Sequence, residues 1–225
     1  MYSKKLIGAV CLALMMNVNP SELRATDECF EGVSRAVFKF NMAFDDIVLE
    51  PIAKGYNRLP TPLKSGTSNF TNNIGTLLSI PNSLLQGNIK QFGHAAGSVI
   101  VNTTVGVFGF FNPAEKIGLK ANKEDVGQTL GTYGIGSGCY FVLPVLGPTT
   151  VRDALGSMVN FSGGDAWYNV TIANDTKYFE NSDYYYSRLT AGVDFRAKNL
   201  EAFDSLEKNS IDLYASVRSL YLQDR

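Results

Sequence analysis

Apolar and polar positions follow a helical period over long stretches of this chain, and the alternation typical of strands is scarce. Apolar side chains recur at helical spacing over residues 31–59, where Pro51 predicts an interruption. Two shorter helices are predicted over residues 65–74 and 77–86, with Pro81 near the start of the second. The pattern therefore predicts an all-α fold.

The C-terminal segment, residues 182–225, contains no proline. Its apolar positions fall on one side of a helical projection, and charged residues such as Lys198, Glu201 and Lys208 fall on the other. The segment predicts one long amphipathic helix, or two helices with a joint near residues 209–210.

Residues 88–111 predict a helix that is apolar on most sides. A narrow polar stripe interrupts this surface, formed by Gln91, His94, Ser98 and Asn102. A surface helix in water would carry charges there, so the pattern indicates lipid or protein interior on most sides and a small wet seam. A buried helix whose polar groups are satisfied by neighbours is the alternative.

Residues 124–153 are dense in glycine, which frees the backbone for positive φ and close packing. A glycine-rich hairpin is predicted around residues 133–144, with an apolar core over residues 140–146 and an Arg152-Asp153 pair after it. The stretch offers no nucleophile, base or metal-ligand set, and it resembles a piece of membrane-embedded architecture.

Composition supports a single domain with few charges. The 225 residues are 45% hydrophobic and 18% charged, with a formal net charge of -1, whereas the usual charged share is about 25%. No repeat or low-complexity linker divides the chain. The charge balance gives no case for nucleic acid as a partner.

The N-terminus predicts a signal peptide over residues 1–25, because Lys4 and Lys5 precede a short apolar stretch. A retained N-terminal anchor is the alternative, and residues 26–225 form the predicted domain. The residues before Cys11 make a poor lipidation box. A disulfide between Cys29 and Cys139 is compatible with export, but two unpaired cysteines are favoured.

Catalytic constellations are missing from the sequence. It contains no His-Glu-x-x-His, Cys-x-x-Cys or Gly-x-Ser-x-Gly motif, and His94 is the single histidine. We therefore expect no metal site, no cofactor and no enzymatic activity. A periplasmic hydrolase that relies on Ser137 and His94 is the remaining catalytic hypothesis.

Several motifs in one order resemble the MlaA (VacJ) family of outer-membrane lipoproteins. The resemblance extends over nearly the whole mature chain and rests on Glu31-Gly32-x-x-Arg35-x-x-Phe38-x-Phe40-Asn41, Ser68-Asn69-Phe70-Thr71-Asn72-Asn73, Pro81-Asn82, Asn102-Thr103, Gly109-Phe110, Glu124-Asp125-x-Gly127-Gln128-Thr129-Leu130-Gly131, Leu143-Pro144-x-x-Gly147-Pro148, Arg152-Asp153 and Ser210-x-Asp212-x-Tyr214. Ser98 and Asn112 stand where the family usually has arginine and aspartate.

The resemblance implies a helical ring in the periplasmic leaflet of the outer membrane, enclosing a hydrophilic channel. It implies removal of mislocalised phospholipid from the outer leaflet and delivery to a periplasmic lipid carrier, in association with a porin trimer. A non-conducting structural adaptor of the porin is the alternative. We expect the channel to be lined by Gln91, His94, Ser98, Asn102, Arg152 and Asp153. We expect the gating hairpin to use Tyr133, Gly134, Gly136, Gly138, Tyr140 and Pro144.

Overall fold

The computed structural model describes residue 28, residues 30–173 and residues 180–225. The predicted signal peptide, Cys11 and Cys29 lie outside the described residues. The described part is mostly helical, as the sequence predicts, with one small two-stranded sheet.

The first helical stretch continues through Pro51. Helix α1 (Glu31–Phe44) leads into a π-helical turn (Asp45–Leu49) and then into α2 (Glu50–Asn57). Pro51 lies in the first turn of α2, where a missing backbone N–H is tolerated. The predicted interruption at Pro51 is therefore wrong, because the helical path continues through this residue after a widened turn at Asp45–Leu49.

A single helix replaces the two predicted over residues 65–86. Helix α3 (Thr61–Leu85) has 25 residues and contains Pro81. It packs along α4 (Ile89–Thr104), which corresponds to the predicted stripe-bearing helix. Proline disfavours a helix interior, but tertiary packing of this kind overrides local preference.

Short elements follow in the middle of the chain. They are α5 (Pro113–Lys116) and α6 (Val126–Thr132). Asp125 and Gln128 form a capping box at the start of α6, in which each side chain accepts from the backbone N–H of the other residue, at 2.8 and 3.1 Å. This reciprocal cap fixes the glycine-rich motif that follows Glu124.

The hairpin pairs β1 (Tyr140–Leu143) with β2 (Gly147–Thr150) in antiparallel register, Tyr140 opposite Thr150. Of the residues predicted around 133–144, Tyr140 begins the first strand and Pro144 begins the turn. Gly134 and Gly138 precede the strand and adopt positive φ, 83° and 68°. The glycines therefore shape the approach to the hairpin.

After the hairpin the chain returns to helix as α7 (Val151–Val159), α8 (Ala166–Tyr168), α9 (Asn181–Lys198), α10 (Leu200–Asn209) and α11 (Leu213–Asp224), with π-helical turns at Asn160–Gly164 and Asn169–Ala173. The joint near residue 209 is confirmed. A further joint at Asn199 divides the segment into three helices, where Asn199 caps α9 by donating to the carbonyl of Phe195 at 2.7 Å.

The hydrophobic core joins distant parts of the chain. Phe38, Tyr140, Val142 and Tyr214 pack together, so α1, the hairpin and α11 meet there. The ring of Tyr214 lies edge-on to Phe38 at 5.4 Å between centroids and to Tyr140 at 6.0 Å. Burial raises the pKa of Tyr140 to about 12.

Cys139 is disulfide-bonded, which corrects the expectation that it remains unpaired. Its partner lies outside the described residues. Glu28 forms an isolated parallel bridge with Tyr140, so the N-terminal end of the described chain lies against β1. Sequence spacing alone carries no information on such long-range proximity.

Candidate functional site

A polar cavity of about 1020 Å³ lies between α3, α4, the segment before α6, and α9. Amide and hydroxyl side chains dominate its α3 wall. The lining includes Asn69, Thr71, Asn72, Asn73, Gly75, Thr76, Ser98, Asn102, Asn112, Glu115, Lys120, Asn122, Lys123, Glu124, Asp125, Gln128, Arg188, Asp194, Phe195, Lys198, Asp224 and Arg225. This volume lies at the upper end of the range for small-molecule pockets, about 300–1,000 Å³.

The charges around this cavity balance. Five carboxylates and five cationic side chains line it. Lys198 pairs with Asp194 at 2.9 Å, and Arg225 pairs with Asp125. A wall of compensated charge offers partners of both signs, which suits a ligand that carries both.

Polarity in the described residues is reversed relative to a water-soluble domain. Twenty polar or charged residues are buried against ten hydrophobic ones, and thirty large hydrophobic side chains are exposed. Single exposed hydrophobic residues are ordinary, but exposed apolar surface on this scale is typical of contact with lipid or another protein. Among the described residues, no helix is both long and apolar enough to cross a membrane.

Helix α4 shows this reversal at residue level. Ser98 and Asn102, from the predicted polar stripe, are buried and line the cavity. Ile89 and Ile100 are each 63% exposed. The stripe therefore faces the interior, and the apolar side faces outward.

Asn102 organises the wall beneath the cavity. Its Nδ2 donates to Asn112 Oδ1 at 3.0 Å and to Ser98 Oγ at 3.3 Å. Its Oδ1 accepts from the Ala114 backbone N–H at 3.1 Å. Ser98 and Asn112 therefore meet at one amide.

Gln91 and His94 contact the backbone of the loop between α5 and α6. The Gln91 Nε2 donates to the carbonyl of Asn122 at 3.2 Å, and His94 Nδ1 lies 3.1 Å from the carbonyl of Lys120. Neither residue is among those that line the cavity. Both hold the lysine-bearing wall of the cavity in place.

Arg152 and Asp153 are buried beneath α6 and outside the cavity lining. Asp153 accepts from the Tyr221 hydroxyl at 2.6 Å, and Arg152 Nη1 donates to the carbonyl of Ile135 at 3.3 Å. Burial makes the larger contribution and the hydrogen bond to Asp153 the next one, and together they raise the pKa of Tyr221 to about 12. The pair joins the glycine-rich segment to α11.

The glycines of α6 are explained by this pair. A Cβ on Gly127 would meet Asp153 Oδ1 at 2.2 Å, and one on Gly131 would meet Arg152 Nη1 at 2.8 Å. A Cβ on Gly156 of α7 would likewise lie only 2.6 Å from the Gly127 backbone nitrogen. The motif therefore permits close packing of α6 on α7.

The six predicted hairpin residues do not line the cavity either. Tyr133 is exposed, and its hydroxyl donates to the carbonyl of Leu85 at 2.6 Å. Asn41 of α1 holds the turn of the hairpin, since its Nδ2 donates to the Leu143 carbonyl at 2.9 Å and its Oδ1 accepts from the Val145 N–H at 2.8 Å.

The residues that sequence analysis missed lie mainly on α3 and α9. Asn69, Asn72 and Thr76 follow at i, i+3 and i+7, so helical spacing could have assigned them to one face. Lys198, by contrast, reaches Ser68 from 130 positions away. No local signal indicates that contact.

One group of carboxylates could be considered for a metal. Asp45, Asp46 and Glu50 present oxygens within 4.8 Å of one another. Arg196 already forms an ion pair with Asp45, and its Nη2 donates to Asp45 Oδ2 at 2.7 Å. The buried member of this group, Asp45, is therefore engaged in an ion pair.

Comparisons with known proteins agree on one family. The family model of the MlaA lipoprotein matches residues 26–225. A protein of Rickettsia bellii is 33% identical over 92% of this chain and 78% of its own length. The intermembrane phospholipid transport system lipoprotein MlaA of Haemophilus influenzae is 32% identical over 97% of this chain and 86% of its own.

A solved structure is also similar in fold. It is described as the structural basis for maintenance of bacterial outer membrane lipid asymmetry, and it superposes with a TM-score of 0.72 at 28% identity. The similarity covers 88% of this chain and 96% of the other. Taken with the family match over residues 26–225, these findings show that the chain belongs to the MlaA lipoprotein family.

Proposed function

We propose that this protein is the outer-membrane component of an intermembrane phospholipid transport system. It removes mislocalised phospholipid from the outer leaflet and passes it to a periplasmic lipid carrier, without making or breaking a bond in the lipid. The observation that carries the proposal is the polar cavity of about 1020 Å³ in a protein whose exposed side chains include thirty large hydrophobic ones.

The physical reason is the cost of moving a charged headgroup past hydrocarbon. A charge without partners is strongly disfavoured there. Amides on α3 and paired charges such as Lys198–Asp194 supply donors and acceptors along a path. The outward apolar side chains, including Ile89 and Ile100, contact acyl chains in a single leaflet. This arrangement supports a helical ring around a hydrophilic channel.

The hairpin is proposed to gate this channel. At its turn, Val145 and Leu146 are 58% and 77% exposed, and Val145 adopts a φ of 65°. Asn41 bonds to both sides of the turn. A few hydrogen bonds therefore hold an apolar tip in one position. A porin trimer is the proposed partner within the membrane.

Deletion of the gene tests transport against the adaptor hypothesis. The transport proposal predicts that phospholipid accumulates in the outer leaflet of the deletion strain and that the wild-type chain restores asymmetry. An adaptor that conducts no lipid predicts no accumulation. Membrane embedding is tested separately, because a protein released by high salt without detergent would contradict it.

A further inference from the structure

A second cavity of about 360 Å³ lies on the other side of the wall formed by α3 and α9. Three aromatic side chains line it, Phe70, Trp167 and Tyr186, together with the carboxylate of Asp183. Among the described residues that line this cavity, Asp183 alone carries a formal charge. This composition differs sharply from the balanced charges of the main cavity.

Aromatic faces and a carboxylate together select a cation. The ring quadrupole attracts an ammonium placed over its face, and tryptophan is the strongest of the three ring types. A quaternary or primary ammonium can also pair with a carboxylate at its edge. An anionic group would find no cationic side chain among the described residues of this lining.

The lining is held in position by hydrogen bonds. The Trp167 indole N–H donates to Ser187 Oγ at 2.9 Å, and the Ser187 hydroxyl donates to the carbonyl of Tyr184 at 2.8 Å. The Asp183 Oδ2 accepts from the Glu180 N–H at 2.8 Å. These contacts orient the indole and one carboxylate oxygen before a ligand arrives, which lowers the entropy cost of binding.

The two cavities share the wall between them. On α3, Asn69 and Asn72 line the main cavity, Phe70 lines the second, and Thr71 lines both. On α9, Arg188 lines the main cavity, one residue after Ser187 of the second. A headgroup amine held in the second cavity therefore lies beside the wall of the main one.

We propose that the second cavity binds the ammonium group of a zwitterionic phospholipid headgroup, of the ethanolamine or choline type. This inference rests on the proposed transport of phospholipid. It adds a subsite that distinguishes zwitterionic from anionic lipids next to the polar cavity.

Trp167 reports directly on this subsite, because it is the single tryptophan of the chain. The purified protein in detergent is titrated with glycerophosphoethanolamine, glycerophosphocholine and glycerophosphate while indole fluorescence is recorded. Saturable changes are expected with either or both ammonium compounds, and the stronger one identifies the headgroup type. Equal responses to all three, or no response to either ammonium compound, would overturn the proposal.

Two variants and two matched controls assign the effect. Asp183→Asn keeps an oxygen for the Glu180 N–H but removes the charge, and Tyr186→Leu removes an exposed ring. Each is expected to weaken ammonium binding about threefold or more. Glu207→Gln and Tyr185→Leu alter an exposed carboxylate and an exposed ring outside the cavity, and binding should stay at the wild-type level.

Unchanged affinity in both cavity variants, with circular dichroism showing native helix content, would contradict the assignment. The outcome is separable from that of the transport proposal. Loss of lipid asymmetry in the deletion strain together with absent ammonium selectivity would reject only the subsite, whereas intact asymmetry would reject transport itself.

Discussion

Gly75 offers a way to obstruct the polar cavity without disturbing the fold. It lies in the interior of α3 and lines the cavity, and a Cβ built on it meets no atom within 4 Å. In Gly75→Leu, the added isobutyl group therefore extends into the cavity between polar side chains such as Asn72 and Thr76.

The substitution is expected to stabilise the protein. Glycine in a helix interior is about 0.8–1 kcal/mol less favourable than alanine, and leucine ranks close to alanine. In a chain of this size, a gain of about 0.5–1 kcal/mol raises the midpoint of thermal unfolding by roughly 1–4 °C. Because the site is open, no overpacking cost offsets that gain.

Transport is expected to decrease despite the added stability. The alkyl group deprives a passing headgroup of one polar partner. A polar group left without a partner costs about 1–3 kcal/mol. That cost corresponds to a slowing of roughly 5- to 150-fold. The assay is outer-leaflet phospholipid in a deletion strain that expresses the variant at wild-type level.

Gly192→Leu is the matched control. Gly192 lies in the interior of α9, is exposed and has an equally open Cβ position, but it lines neither cavity. It should show a similar thermal gain with normal asymmetry. Normal asymmetry in a folded, membrane-localised Gly75→Leu protein would refute the use of this cavity as the lipid path.

Three further substitutions test the packing and electrostatics. Gly127→Ala places a Cβ 2.2 Å from Asp153 Oδ1 and should lower the free energy of unfolding by about 1–3 kcal/mol, measured by thermal unfolding. Asp45→Asn leaves the buried Arg196 guanidinium poorly compensated and should cost about 3–5 kcal/mol; an unchanged midpoint would contradict this. The Tyr140 hydroxyl is buried with no hydrogen-bond partner among the described residues, so Tyr140→Phe should add about 1 kcal/mol at neutral pH. Because burial raises its pKa from 10.0 to about 12, the wild-type protein keeps its neutral-pH stability up to about pH 10 and loses stability as the pH rises from 10 through 12, and the phenylalanine variant should lose less stability over that range.

Much of the helical architecture could be predicted from local pattern. The stripe on α4 correctly indicated a helix with one polar side, because its period of 3.6 residues is a property of adjacent positions. The joint after α10 was also predictable from the polar residues at 209–210. Continuity through Pro51 and Pro81 was not predicted. Pro51 falls in the first turn of α2, where a missing N–H is tolerated, and the packing of α3 along α4 overrides the local preference of Pro81.

Only part of the candidate site could be predicted from the local sequence pattern. Ser98 and Asn102 belong to the cavity lining, whereas Arg152 and Asp153 of α7 are buried beneath α6, and Asp153 contacts α11 through Tyr221. A charged pair in sequence gives no indication of whether it faces a channel or a tyrosine hydroxyl. Tyr221, which supplies that hydroxyl to Asp153, is 68 positions away.

The sequence by itself determined the helical class, the family and the lack of a nucleophile, base or metal-ligand set in residues 124–153, since each depends on residue types and short spacings. Only the tertiary structure decided which side of each helix faces the cavity and that the glycines of α6 accommodate a buried ion pair. Contacts such as Asp45–Arg196 join positions 151 residues apart. Their formation depends on how the helices pack together, and periodicity within one helix carries no information about its distant partner.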